Sequence, residues 1–359
     1  MIIIIDPSVF ADTRTQSDTE KTQLFLNRLT IAIEDSNHLF LIDSSIIPKI
    51  EACNDLLEHS RKIIIRTARK SIYFNDYFEK GAHLSFTKSK KNLGFEIDII
   101  HDDQDIIIRY LAKPCLVLED ASEKHLYQQI IKSYSTSNNR QINVSFKTVH
   151  GGGDTTHLRC AEEYLTNEHV YCICDSDKKT PTDSIGGTAR KAKTFFQKIN
   201  RQSNLLILDC HEIENLLPLN VLNSKAKQDQ ALTIRFLEMI SAVNDQHYLY
   251  YDFKKSHSYH DIFIARNTKS EFWRDYYAIF HNTLDKCPHA PLFSGEKSSK
   301  DALIPGVGAL VYHVKDDFAK ELHSDLRIDS ITPTSVKNAW NSLGVALINW
   351  FVALPPLRV

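Results

Sequence analysis

Val170-Tyr-Cys-Ile-Cys-Asp175-Ser-Asp177-Lys178-Lys179 is the stretch on which the fold turns. An apolar run ends abruptly in two carboxylates one residue apart. This is the pattern of a buried strand that delivers acids to the edge of a sheet. Strand side chains alternate faces, so a strand continued to Asp177 would aim both carboxylates the same way, toward one hard cation held by oxygen ligands. The pattern recurs. Cys115-Leu-Val-Leu runs into Glu119-Asp120, and Leu205-Leu-Ile-Leu runs into Asp209, with Glu212 and Glu214 close behind. Acids at several strand ends predict a metal centre and phosphate chemistry.

Working outward, the 359 residues suffice for about two or three domains. In residues 1–113 strand-like runs (2–5, 39–42, 62–65, 95–100) alternate with helical patterns (19–33, 46–57, 105–111), which predicts a parallel α/β domain. A second α/β domain is expected over 114–218. It has strands at 115–118, 142–149, 170–174 and 205–208, helices at 123–134, 155–166 and 188–198, a polar connector at 135–140, and the turn Gly151-Gly-Gly153. From 219 to 359 long helical periods dominate (230–243, 269–284, 336–354), which predicts a mostly helical C-terminal region.

Forty-three basic residues against forty-five acidic ones leave a net charge of −2, so nothing in the bulk charge draws the chain to nucleic acid. Such binding needs local patches. The expected patch is the basic helix after Asp177, with Arg190, Lys191 and Lys193; the competing reading is a solvated face. Lys88, Lys90 and Lys91 are expected in a loop. Seven cysteines, an odd number set partly inside apolar runs, predict buried thiols in a reduced, cytoplasmic protein. No signal peptide is expected at the start, and no run reaches a membrane span, so no membrane partner is expected.

The order strand–Glu119, helix, strand–Gly-rich turn, helix, strand–Asp175-x-Asp177, helix, strand, Glu212-x-Glu214-Asn215 resembles the TOPRIM fold of topoisomerases, primases and the overcoming-lysogenization-defect nucleases. The resemblance covers about residues 114–218. Glu119 stands where the family has its strand-end Glu and Glu123 where the nuclease branch has a later Asp; Asp120 replaces the Gly often found between them. His211-Glu212-Ile213-Glu214-Asn215-Leu216-Leu217-Pro218 looks like the acidic tail of TOPRIM effectors in bacterial anti-phage systems. The resemblance implies a Mg²⁺- or Mn²⁺-dependent endonuclease acting on DNA or RNA. Asp175, Asp177 and Glu119 would lie near the metal, with Glu123, Glu212 and Glu214 as further ligands or their neighbours. Glu119 could instead act as a base, and Lys178 or Lys179 could offset phosphate charge. It also implies a defence effector. A Walker A motif is missing, so any ATP control would come from a separate ATPase partner. A homo-oligomer is left open. Asp6, Glu51 and Asp102 or Asp105, over about residues 1–112, more loosely resemble the acids of PIN-like nuclease domains.

Each motif also has a plainer reading. Asp-x-Asp after a strand can simply shape a turn, Glu119-Asp120 can cap the next helix, and Glu212 and Glu214 can be first-turn residues. Asp6 can cap a turn before Pro7. The rival functions are a phosphatase or phosphotransferase of haloacid-dehalogenase type, a nucleotide-sugar transferase using the Asp175-x-Asp177 pair, and a catalytically inactive nucleic-acid- or protein-binding partner.

Overall fold

The computed structural model describes residues 1–11, 15–74, 83–88, 96–138, 142–258, 260, 268–284 and 302–354. Two four-stranded, all-parallel sheets organise them. The first is built from β1 (Ile2–Ile5), β2 (Leu39–Ile42), β3 (His83–Thr87) and β4 (Glu96–Asp98), in the order β2-β1-β3-β4. Helices α1 (Gln16–Glu34), α2 (Ile47–Ala52), α3 (Glu58–Ser71) and α4 (Gln104–Leu111) accompany it.

The strand expected at 62–65 is instead part of α3. Its three consecutive isoleucines favour a strand locally, but the buried positions Ser60, Ile64, Thr67, Ala68 and Ser71 repeat with helical spacing. Packing on that face overrides the local preference. The strand that fills the gap, β3, falls where none was expected. Its buried Leu84 and Phe86 alternate with Ser85.

The second sheet comprises β5 (Cys115–Leu118), β7 (Lys147–His150), β8 (Val170–Cys174) and β9 (Leu205–Ile207), ordered β7-β5-β8-β9. Between them run α5 (Lys124–Ser137), α6 (Thr156–Glu163) and α7 (Gly187–Lys198). Residues 142–149 do not form one strand. β6 (Asn143–Val144) separates from β7 and pairs antiparallel with β10 (Val352–Ala353) near the chain's end. Alternation along β5 and β8 sorts side chains by size. Leu116, Leu118, Tyr171 and Ile173 join the main core. Cys115, Val117, Cys172 and Cys174 face a smaller core with Cys160, Ala189, Ala192 and Phe196. Small residues on both surfaces let α6 and α7 lie close to that face. The described cysteines are free and buried, as expected; Cys287 lies outside the described residues.

The C-terminal region is mostly helical, with α8 (Leu219–Lys225), α9 (Ala231–Asn244), α10 (Thr268–Leu284), α11 (Gly308–Ala319) and α12 (Thr334–Phe351). Helix α11 was not anticipated. Both α11 and α12 pack on α5, and the Trp340 indole donates to the Leu216 carbonyl at 2.7 Å. No helix among the described residues is long and apolar enough to cross a membrane.

The α12–α5 crossing is tight at Gly344. A Cβ added there would lie 2.6 Å from Tyr134 Cβ, a position backed by the α5 main chain. Helix propensity alone would favour alanine at a mid-helix glycine by about 1 kcal/mol. Overpacking costs about 1–3 kcal/mol. Gly344→Ala is therefore expected to lower the midpoint of chemical denaturation; a raised midpoint would show that the helices separate freely.

The two sheets meet through a buried histidine pair. His38 Nε2 lies 2.9 Å from the Ala112 carbonyl and His169 Nε2 lies 3.0 Å from that of Tyr110, with ring centroids 5.0 Å apart. Burial pushes the pKa of His169 down to about 3, and that of His38 well below normal, with further lowering from its neighbour's charge. A base with a depressed folded pKa stabilises the fold fully above its unfolded value, near 6.5, and loses that contribution as pH falls. For His169 the loss by pH 5 is about 2 kcal/mol. Urea denaturation of wild type and His169→Gln should show the variant losing less stability between pH 7 and 5. Parallel losses would mean the ring titrates normally.

Candidate active site

In the sheet order β7-β5-β8-β9, the chain leaves β5 toward one side for β7 and then crosses to the other for β8. Crevices at the carboxyl ends of strands form where such connections diverge. Glu119 follows β5 and Asp175 follows β8, so the sheet brings both to this crevice. The Asp175 amide donates to Glu119 Oε1 at 3.1 Å. Asp175 Oδ1 accepts the Ile213 amide at 2.9 Å, which ties in the segment after β9 that carries Glu212 and Glu214.

Glu119 is half-buried, and Glu123 and Glu214 are buried. Burial raises the pKa of Asp175 well above the carboxylate range, and the charges of Glu123, Glu119, Glu214 and Glu212 add to the effect. Glu119 is raised by burial and by Asp177 and Glu212. Glu123 is pushed up to about 8 by burial, with Glu214, Asp120 and Glu119 raising it further against Lys315. These acids therefore sense one another across the crevice.

Asp177 does not continue the strand. Its φ of 56° is left-handed, a conformation Asp adopts more readily than most residues, and its amide donates to the His211 carbonyl at 2.9 Å. The expected alternation of Asp175 and Asp177 therefore fails. The 175–186 loop folds back and lays the exposed Asp177 side chain against Gly186, from where its charge still acts on Glu119. A Cβ on Gly186 would lie 2.0 Å from Asp177 Oδ2. Lys178 is half-buried beside it. The Gly-rich turn docks on the end of β5. The Gly151 amide donates to the Leu118 carbonyl at 2.7 Å and the Gly152 amide to that of Glu119 at 3.3 Å. A Cβ on Gly151 would meet Thr156 Oγ1 at 2.5 Å and the Leu118 carbonyl at 2.8 Å.

Some plainer readings hold for neighbouring residues. Asp120 caps the turn before α5, accepting the Ser122 amide at 2.9 Å. Glu212 opens a capping box with Asn215. The Asn215 side-chain amide donates to the Tyr248 and Tyr251 carbonyls, both at 2.9 Å, so this asparagine fixes the loop rather than facing the crevice.

The C-terminal region contributes two cations that sequence reading missed. Lys254 Nζ lies 3.0 Å from Glu212 Oε2 and 3.1 Å from Glu214 Oε1. Lys315 Nζ, on α11, lies 3.1 Å from Glu214 Oε1 and 4.0 Å from Glu123 Oε1. Burial works against ionisation of Glu214, but Lys315 and Lys254 prevail and hold its pKa below normal. Nothing near Glu214 in sequence announces either lysine.

Glu123, Glu212 and Glu214 thus lie beside two ammonium groups, and Glu119, Glu123 and Asp175 are raised first by burial and then by neighbouring carboxylates, Asp177 among them for Glu119. This all-oxygen donor set suits a hard divalent cation, which takes few direct carboxylates and keeps several waters. The spacing is open. Among the described residues, the group that brings one ligand atom each within 4.8 Å is His211, Glu212 and Asp252.

On α7, Arg190, Lys191 and Lys193 are exposed. Lys191 is paired with Asp154 of the Gly-rich turn at 2.6 Å, which sets this helix beside the carboxyl edge of the sheet. In the first sheet the expected acids have local roles. Asp6 accepts the Ser8 amide at 2.8 Å and caps a short turn, Glu51 is exposed on α2, Asp102 accepts the Asp98 amide at 2.8 Å, and Asp105 lies in the first turn of α4, its amide donating to the capping Asp103. A cavity of about 490 Å³ lies at the ends of β1 and β2, lined by Asp6, Asp43, Ser44 and Ser71 among apolar residues. No family model, curated protein or solved structure matches the chain.

Proposed function

We propose that the chain is a divalent-metal-dependent nuclease of TOPRIM type, acting on phosphodiester bonds of DNA or RNA at the crevice between β5 and β8. The observation that carries this reading is the convergence of Glu119 and Asp175 from separate strands, with Asp177, Glu123, Glu212 and Glu214 within electrostatic reach. Bound Mg²⁺ or Mn²⁺ would supply Lewis acidity toward phosphate oxygens and lower the pKa of water. Glu119, Asp175 and Asp177 would hold the cation, and Glu123, Glu212 and Glu214 would complete or orient its surroundings. Lys178, Lys254 and Lys315 would offset charge on the phosphate. The exposed Arg190 and Lys193 would hold the nucleic-acid backbone, a salt-sensitive contact. A cytoplasmic anti-phage effector working with a separate ATPase is part of this proposal and rests on the family resemblance alone.

With Mg²⁺ or Mn²⁺, the protein, together with its ATPase if one exists, should nick or cut nucleic acid. Glu119→Ala and Asp175→Ala should each slow cleavage by at least about a hundredfold. Cleavage at the wild-type rate in both would reject the assignment. Gly186→Ala offers a test that leaves every carboxylate in place: the new Cβ must displace Asp177. Cleavage should fall by about tenfold or more while the circular dichroism spectrum stays native. Full activity in Gly186→Ala would remove Asp177 from the site.

A further inference from the structure

Among the described residues, the compact set of ligand atoms is not in the acidic crevice but in the group beside it. His211 follows β9 and is buried, with 3% of its surface exposed. Both of its ring nitrogens lack a hydrogen-bond partner. Nε2 lies 3.7 Å from Asp252 Oδ2 and 3.9 Å from Glu212 Oε1, beyond hydrogen-bond range for either. Asp252 is also 3% exposed. A buried imidazole with neither nitrogen satisfied is costly, and here it faces two carboxylate oxygens.

The remaining atoms of the carboxylates are already held. Asp252 Oδ1 accepts the Lys254 and Lys255 amides at 3.2 and 3.1 Å. Glu212 Oε2 pairs with Lys254 Nζ at 3.0 Å. Each group is thus braced through one oxygen and presents the other to His211, the arrangement that orients ligands around an ion. Lys255 Nζ lies 3.9 Å from Asp252 Oδ2 on a largely exposed side chain. Ligands about 2.1 Å from an ion in a tetrahedral shell stand about 3.4 Å apart, so the two His211 distances must shorten by roughly 0.3–0.5 Å. The three atoms lie within 4.8 Å of one another, so closing the widest pair to that spacing needs a side-chain movement of up to about 1.4 Å.

We propose that His211, Glu212 and Asp252 form a binding site for a first-row transition cation, Zn²⁺ or Mn²⁺, distinct from the oxygen-only crevice. One imidazole with two carboxylates favours such ions over Mg²⁺ or Ca²⁺. The site would clamp the segment after β9 to residues 251–255, adding to the bond from the His211 amide to the Leu249 carbonyl at 2.7 Å. It stands apart from the nuclease reading, sharing only Glu212 with the crevice.

The test uses the full chain stripped with EDTA, desalted and titrated calorimetrically with Zn²⁺ and with Mn²⁺. At least one of these ions should bind wild type. That binding should weaken at least about tenfold in His211→Gln and in Asp252→Asn, and persist in Glu119→Gln/Asp175→Asn. The same ion should raise the melting temperature of wild type but not of the His211 and Asp252 variants. Failure of both ions to bind wild type overturns the proposal, as does unchanged affinity in both variants. Loss in Glu119→Gln/Asp175→Asn alone would place the ion in the crevice and also overturn it. Should both variants fail to fold, X-ray absorption of the loaded wild type decides: imidazole scattering around the ion supports the site, and an oxygen-only shell refutes it.

Discussion

Parallel pairing of β5 with β8, in the register Leu118 to Ile173, is the constraint on which the crevice depends. It ends the two strands at the same level, so the residues that follow each strand meet. The Asp175 amide can reach the Glu119 carboxylate only because the strands stop together. A one-residue slip would reverse which side chains face each core, driving tyrosine and isoleucine into the layer built for cysteine and alanine. The same size sorting that stabilises the sheet therefore also fixes the acids.

The C-terminal helices are integral to this arrangement. Lys254 and Lys315 reach the carboxylates from the region after residue 219, and Trp340 and the tyrosines near 250 hold the loop that carries Glu212 and Glu214. The acidic loop cannot be understood from the second sheet alone. Its backbone is tied to both sides: the His211 amide bonds the Leu249 carbonyl and the Leu216 carbonyl accepts from Trp340, while the Ile213 amide and the His211 carbonyl bond Asp175 and Asp177; the later region also offsets part of its charge.

Much of this was legible in the sequence. Strands of a parallel sheet are buried on both faces and read as continuous apolar runs, which is why residues 39–42, 115–118 and 170–174 match the observed strands. The acids at their ends were visible for the same reason: polarity changes abruptly where a buried strand exits. What escaped depended on distance or on muted signals. The α3 face is marked by serine, threonine and alanine, so three isoleucines looked like a strand. Lys254, Lys315 and Asp252 lie tens of residues from their partners and have no local signature. A left-handed residue and a glycine, not strand alternation, set the direction of Asp177.

The sheet face that packs against α6 and α7 has one more consequence. Cys160, Cys172 and Cys174 sit together in that layer, with the Cys172 and Cys174 sulfurs 3.6 Å apart. The neighbouring thiols and burial keep Cys172 protonated far above its ordinary range, and only the thiolate is reactive. The native molecule thus carries a latent chemical reporter. Alkylation of these sulfurs must wait until the helices lift from the sheet, so its rate measures how often the second sheet opens.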